Sequence, residues 1–535
     1  MHLIQCEEGV PEMDRLIDQR PRCFRAQFML LSLAVLAGSA QAQLPSAGPP
    51  ASGSARATPL PLSGRGAEPG SVSTREGTTN GGVETLDSSV QVDGNFQGSV
   101  PSADVPAGAI ALTLAESVRR GLDANLGTLT ANNSVRATRA ERLQALSNLL
   151  PNISANASNT ESQINLAAFG FKFQVPPGLN FSIPTVVGPF NYSQAQVALS
   201  QSIYDAVQRR NWHASKESER AYQLSAKDAR ELVVLAVAGT YLQTVATGAR
   251  VDSQRAQVEN AQAVNRQAEI RRAAGTNARI DVMRTLVELQ TEQQRLNTLQ
   301  SDLRKQKLVL ARLIGLPLDR DLLLSEPLAF HPETLPDAAS AIQRAYQGRA
   351  DLQAADAQVR AAQIVLSAAH AERLPSVSVN GDYGVVGTTP VSGHGVFSVT
   401  GSVNVPIWQG GRVHGDIEEA ESTLRQRQAE FADQRARVDE DVRTALIELE
   451  TATGQVRLAE TNRGYAGETL REARDRFNLG VATTVEVVQA QEQVAGAESD
   501  YISSLFAFDL ARLALSRAMG QAETDLPNLL TGNRP

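Results

Sequence analysis

The sequence predicts a mainly α-helical chain with a membrane β component: long antiparallel coiled-coil helices plus four transmembrane β-strands per protomer. Three observations predict it, namely a tandem duplication, apolar columns spaced seven residues apart, and short stretches of strict apolar–polar alternation.

The duplication sets the frame. Leu150-Pro151-Asn152-Ile153-Ser154-Ala155-Asn156 recurs as Leu374-Pro375-Ser376-Val377-Ser378-Val379-Asn380. Gly275, Ile280, Asp281 and Val282 recur as Gly480, Val485, Glu486 and Val487, and Arg312 and Gly315 as Arg517 and Gly520, all at one offset of 205 residues. A constant offset means that the two stretches share one folded shape. Each half reads helix, strand, loop, strand, very long helix, glycine turn, helix. The division expected is 109–320 for the first repeat and 321–522 for the second, with a tail over 523–535.

The helices follow from their periodicity. Val282, Leu289, Leu296, Leu303 and Leu310 fall seven apart, and Val487, Val494, Tyr501, Phe508 and Leu515 repeat the column. The preceding helix carries Leu235, Leu242, Ala249, Ala256, Ala263 and Ile270, whose small members let backbones approach closely. No proline interrupts Asp205 to Ala274, so at ~1.5 Å per residue one helix there reaches about 105 Å. Breaks near Gly239 or Gly248 are the alternative, since glycine weakens a helix interior.

The strands follow from alternation. Phe397, Val399, Gly401, Val403 and Val405 alternate with Ser398, Thr400, Ser402 and Asn404, over roughly the 9–11 residues that a tilted membrane strand needs. Val197, Leu199 and Ile203 against Gln196, Ser200 and Ser202 do the same, as do Val377, Val379 and Tyr383 against Ser378, Asn380 and Asp382. Ile153 to Thr160 is a weaker fourth, and a soluble sheet with one wet face would alternate alike. Four strands do not close a membrane barrel, and lipid forbids an open sheet edge because unpaired backbone groups there cost several kcal/mol each. Closure therefore calls for several chains. The loops expected at 164–192 and 385–395 would face outward.

Composition narrows the function. A formal charge of −8 and 4% aromatic residues exclude a basic groove with stacking aromatics, hence no nucleic-acid partner. Arg20, Arg22 and Arg25 precede an apolar run from Phe28 to Ala37 and the small-x-small Ala40-Gln41-Ala42, so 1–42 reads as an export signal with an N-terminal extension, cut after Ala42. Cys6 and Cys23 precede that cut, leaving the mature chain no disulfide, thiolate metal site or lipid-accepting cysteine. Residues 43–108, rich in Gly, Ser and Pro, read as flexible. His213, His370, His414 and the other histidines show no ligand spacing. With no nucleophile elbow, phosphate loop or paired carboxylates, neither enzyme chemistry nor a cofactor is expected.

Over residues 110–522 the chain resembles the TolC family of outer-membrane factors. The resemblance rests on the two Leu-Pro strand entries, Val405-Pro406-Ile407-Trp408-Gln409-Gly410-Gly411-Arg412 after the last strand, and Arg476-Phe477-Asn478-Leu479-Gly480-Val481 at the second helix turn. It implies a homotrimer forming a 12-stranded barrel in outer-membrane lipid, with an α-helical tunnel in the periplasm. The tips would meet a periplasmic adaptor and, through it, an inner-membrane pump of the RND or ABC type. Glu486 and Asp281 match acidic gate positions, while Gln489 departs from the second acidic ring. Glu486 also reads as a helix cap, from Thr483-Thr484-Val485-Glu486. Arg271, Gly275, Thr276, Arg476, Asn478, Gly480 and Val481 match the adaptor-docking tips, although cations in a last helical turn favour the dipole without a partner. Trp408 and Tyr204, at the starts of the long helices, suit the headgroup level. The implied function is an outer-membrane exit duct for efflux, with type I protein secretion or metal efflux as alternatives. A periplasmic coiled-coil adaptor is the reading from another class, but an adaptor has one helical hairpin where this chain has two.

Overall fold

The computed structural model describes residues 55–63, 71–76, 86–92, 95–101, 108–170, 185–276, 278–332, 335–389 and 391–529. The export signal, Cys6 and Cys23 lie outside the described residues. An antiparallel pair, β1 (Ser71–Glu76) and β2 (Leu86–Gln91), precedes β3 (Ile110–Leu112). Then follow α1 (Leu114–Ala124), α2 (Leu126–Ser147), β4 (Asn152–Asn165), β5 (Val186–Tyr204), α3 (Ala206–Ala273) and α4 (Arg279–Leu313). The second half repeats this order as β6 (Leu322–Leu324), α5 (Ala338–Gly348), α6 (Ala350–Ala371), β7 (Ser376–Gly387), β8 (His394–Asn404), α7 (Arg412–Asn478) and α8 (Thr484–Ala518). A last helix, α9 (Ala522–Leu529), crosses the boundary expected at 522. The duplication therefore reaches further than the motifs indicated: α1 and α5 are 11 residues each, and β3 pairs in parallel with β6.

The long helices are continuous. α3 has 68 residues and α7 has 67, about 100 Å each, and Gly239 and Gly248 lie inside α3 without breaking it. Asp205 starts α3 by accepting from the Val207 and Gln208 N–H groups, each at 2.9 Å, which satisfies donors that the first turn leaves orphaned. The most apolar stretch of α3, Leu232 to Leu242, packs against Leu310 and Leu313 of α4 and Leu510 and Leu513 of α8. A second core joins Val438, Val442 and Leu449 of α7 to Phe508 and Leu515 of α8 and to Ala341 and Ala345 of α5.

The heptad columns fare unequally. On α4 and α8 the predicted residues are buried or half-buried throughout. On α3 the column holds only at Leu235, Leu242 and half-buried Ala249. Below that Ala256, Ala263 and Ile270 are exposed, and Val251, Val258 and Asn265 are buried instead. The physical reason is that α3 packs on α1, α4 and α8 between Leu232 and Ala246 but on α7 and α8 around Val264, so no single seven-residue column serves its whole length.

The four strands form one antiparallel sheet in the order β4-β5-β7-β8. Directly opposed residues share a face, and the register runs Ser154↔Ala198↔Asp382↔Ser398 and Asn156↔Gln196. Between the register shifts after Ser162 of β4 and after Ser202 of β5, even-numbered residues thus form one face, mostly Ser, Asn, Gln and Thr, and the apolar residues named above form the other. Two expectations need correction. The strands run past the expected loop bounds, β4 to Asn165 and β5 from Val186, because the polar Glu161–Asn165 stretch continues the ladder beyond the apolar band. Residues 55–63, expected to be flexible, lie across α3, α6 and α7. The Ala57 N–H donates to Glu372 at 2.7 Å, the Thr58 N–H to Asn211 at 3.1 Å, and Arg427 donates to the Pro61 carbonyl at 2.7 Å. Glu372 and Arg427 are themselves buried, and the segment's backbone supplies partners that buried polar groups require.

Candidate channel wall and helix tips

The apolar face of the sheet has no cover among the described residues. Phe397 is 76% exposed, Val399 72%, Tyr383 72% and Ile153 72%. A soluble sheet buries that face, so the exposure separates the two readings that alternation left open. β4 and β8 are the outer strands of the sheet, and each presents a row of unpaired backbone groups. Below the sheet stand Ile407, 93% exposed, and Trp408, 86% exposed. Trp408 lies in the connection before α7 and Tyr204 ends β5, so neither begins a helix as expected; β5 and its ladder carry through to Tyr204, which pairs with Val377.

At the other end, both helical hairpins turn alike. Gly275 and Gly480 have φ of 76° and 78°, the left-handed conformation that glycine adopts without a Cβ penalty. The Thr276 N–H donates to the Arg271 carbonyl at 2.9 Å and the Gly275 N–H to Arg272 at 3.0 Å; Val481 and Gly480 donate in the same way to Arg476 and Phe477, both at 3.0 Å. These are Schellman turns, which satisfy the last helical carbonyls. They leave Leu479 79% and Val481 65% exposed at the tip.

The two tips are tied together. Arg271 of α3 donates to the Phe477 carbonyl of α7 at 2.9 Å, and its guanidinium lies 4.0 Å from the Phe477 ring centroid. Gln267 donates to the Asn478 side chain at 2.7 Å, and Val264 packs with Phe477 and Val487. Arg271 and Asn478 are therefore engaged within the chain. Glu486 is committed as well: it completes the capping box with Thr483, whose N–H donates to it at 3.2 Å, and lies 3.6 Å from Arg476. Asp281 is 3.8 Å from Arg284 in its own first turn, and Gln489 is exposed on α8.

Charge buried elsewhere escaped the sequence reading. Arg349, 3% exposed on its side chain, pairs with Asp351 at 2.6 Å and Asp441 at 2.5 Å, and Arg517 pairs with Asp228 at 2.5 Å. Burial disfavours the Arg349 charge, but the two carboxylates outweigh it and hold the guanidinium above its usual range. On α4, burial and the carboxylates of Glu292 and Glu492 push Glu288 up. Among the described residues no group of His, Cys, Asp or Glu is placed to hold a metal ion.

The model of the outer membrane efflux protein family matches residues 122–316 and 341–521, one segment in each repeat. Among curated relatives, the chain is 23% identical over 294 residues to the pyoverdine export outer membrane protein OpmQ of Pseudomonas putida, covering 53% of this chain and 61% of OpmQ. It is 24% identical over 408 residues to the outer membrane efflux protein BepC of Brucella suis, covering 71% and 87%. Among solved structures, the Campylobacter jejuni CmeC outer membrane channel superposes with a TM-score of 0.67 at 16% identity, covering 80% of this chain and 92% of CmeC. With the family model matched in both repeats, over more than half of the chain, the chain belongs to the outer membrane efflux protein family.

Proposed function

We propose that three copies of this chain form the outer-membrane exit duct of a tripartite efflux system, passing small molecules from a periplasmic adaptor and an inner-membrane pump to the exterior. The observation that carries the reading is the uncovered apolar sheet with two open edges, on the same chain as two helical hairpins about 100 Å long. Neighbouring strands alternate in direction, so β8 of one chain meets β4 of the next antiparallel, and any whole number of copies closes the ladder. Three copies give twelve strands. The apolar band then faces lipid, the polar face encloses water, and the hairpins continue the wall into the periplasm.

The tips take the adaptor and gate roles in this reading. Leu479 and Val481, with Gly275, Thr276 and Gly480, offer an exposed apolar and backbone surface for docking. Arg271 and Asn478 act before docking by holding the two hairpin tips together, and their release lets the hairpins part as rigid bodies, while Arg476, paired with Glu486 inside its own hairpin, stays part of the docking tip. Glu486 and Asp281 are the acidic gate candidates, Gln489 adding no charge. Trp408 and Tyr204 lie at the inner headgroup level.

Purified from outer membranes, the chain should run on unheated gels as a trimer that boiling converts to monomer, and should form stepwise pores in planar bilayers. A water-soluble monomer without pore activity would end this reading.

A further inference from the structure

The four strands of the sheet carry just two formal charges, Glu161 and Asp382. They stand on opposite faces. Glu161 is odd-numbered and pairs with Asn191, in the part of the β4–β5 hairpin that rises past the last β5–β7 pair, Ser193↔Gly387. Asp382 is even-numbered and sits amid the ladder, opposite Ala198 on one side and Ser398 on the other. Its carboxylate accepts a hydrogen bond from the Ser398 hydroxyl across the β7–β8 pair. Flanking it in sequence are Gly381 and Tyr383 of the apolar face, so Asp382 is level with the lipid band while pointing away from it.

That placement is informative because the rest of its face carries no formal charge: it is built from Ser, Thr, Asn, Gln, Tyr192 and a few apolar side chains, with His394 at the loop end of β8, twelve residues from Asp382 in sequence. A carboxylate at mid-membrane depth is tolerated where it meets water rather than hydrocarbon. An otherwise uncharged wall lets one fixed charge set the sign of the local field.

We infer that Asp382 is a selectivity residue of the barrel interior, giving the exit path a preference for cationic over anionic solutes. The inference rests on the duct reading, in which threefold assembly repeats Asp382 as a ring of three. The field reaches across the lumen at low ionic strength, where the screening length is about 30 Å at 0.01 M, and shrinks to ~3 Å at 1 M.

The test uses a reporter thiol. No cysteine follows Cys23, ahead of the expected cut after Ala42, so Thr400→Cys places a single thiol on the polar face of the mature chain, diagonal to Asp382. The full-length trimer in detergent is treated with thiosulfonate reagents carrying positive, negative or no charge, and the positive-to-negative rate ratio is measured. One unit charge about 8 Å away in a water-like medium predicts that Asp382→Asn lowers the ratio about fivefold in ~10 mM salt, and leaves it nearly unchanged in ~1 M salt. Ser398→Ala, which removes the hydrogen bond and keeps the charge, should preserve the ratio. If Asp382→Asn leaves the low-salt ratio unchanged, or Ser398→Ala lowers it as much, Asp382 has no selectivity role even though the duct stands. If the neutral reagent also fails to reach Thr400→Cys, the polar face is not a water-filled lumen, and the duct reading falls together with this one.

Discussion

Asp509 shows what a single side chain contributes and what a sequence conceals. It lies on α8 between Phe508, in the core shared with α7, and Leu510, in the core shared with α3; it is 1% exposed and neither carboxylate oxygen has a hydrogen-bond partner among the described residues. Burial pushes its pKa from 3.8 up to about 8, against a smaller pull from Arg512, 3.8 Å away. The folded chain therefore keeps a proton that the unfolded chain releases near pH 4. The stability that Asp509 contributes is fully present below that value and is lost as pH rises towards 8, by up to about 1.4 kcal/mol per pH unit. Asp509→Asn removes this dependence. The variant should match the parent near pH 4 and dissociate at a progressively higher temperature than the parent up to pH 8, followed by heating the trimer before gel electrophoresis. Parallel curves would show that Asp509 stays ionised. No local pattern in the sequence marks Asp509 as buried, because the helices packed on both sides of it, α3 and α7, are distant in the chain. Glu486 was legible for the opposite reason, since both partners of its capping box lie within four residues.

Strands were legible where their pattern is local, and seams were not where a helix changes neighbours. The alternation at 377–383 and 397–405 assigned the faces that the register later fixed, since pleat period alone decides which side a residue takes. The column on α3 failed below Ala249 because burial there depends on which helices lie alongside. Likewise the Arg271–Phe477 contact joins residues 206 apart, and no local pattern announces it. Adjacent substitutions test the face assignment. Val399→Arg puts a charge on the lipid face at a cost of ~2–4 kcal/mol near the midplane, and should sharply lower the amount of heat-modifiable trimer in outer-membrane fractions. Thr400→Arg, one residue on, points into water and should assemble normally. Equal assembly of both, or equal loss, would mean that the two faces do not meet lipid and water.

At the scale of the whole molecule, apolar packing is unevenly distributed. The two large cores lie where α3, α7 and α8 meet the short helices α1 and α5, whereas the tips share one small cluster around Val264, Phe477 and Val487. Beyond it, the hairpins are joined there by Arg271 on Phe477 and Gln267 on Asn478. A cation over an aromatic ring is worth about 0.5–1 kcal/mol at an exposed site, and one hydrogen bond about as much, so the tip tie amounts to roughly 1–3 kcal/mol. Local opening follows local stability. The tip segments should part many times while the cores stay shut, as a duct that opens at one end requires. Hydrogen exchange of the full trimer in detergent therefore should be fast in peptides covering 264–290 and 468–495 and slow in those covering 232–246 and 502–515. Arg271→Ala removes both the stacking and the carbonyl contact. It should quicken exchange at the tips about tenfold, the effect of ~1.4 kcal/mol, and leave the core peptides unchanged. Uniform protection along the helices, or an Arg271→Ala effect that spreads to the cores, would mean that the tips and the cores open as one unit, and the hairpins could not then splay by loosening the tie alone.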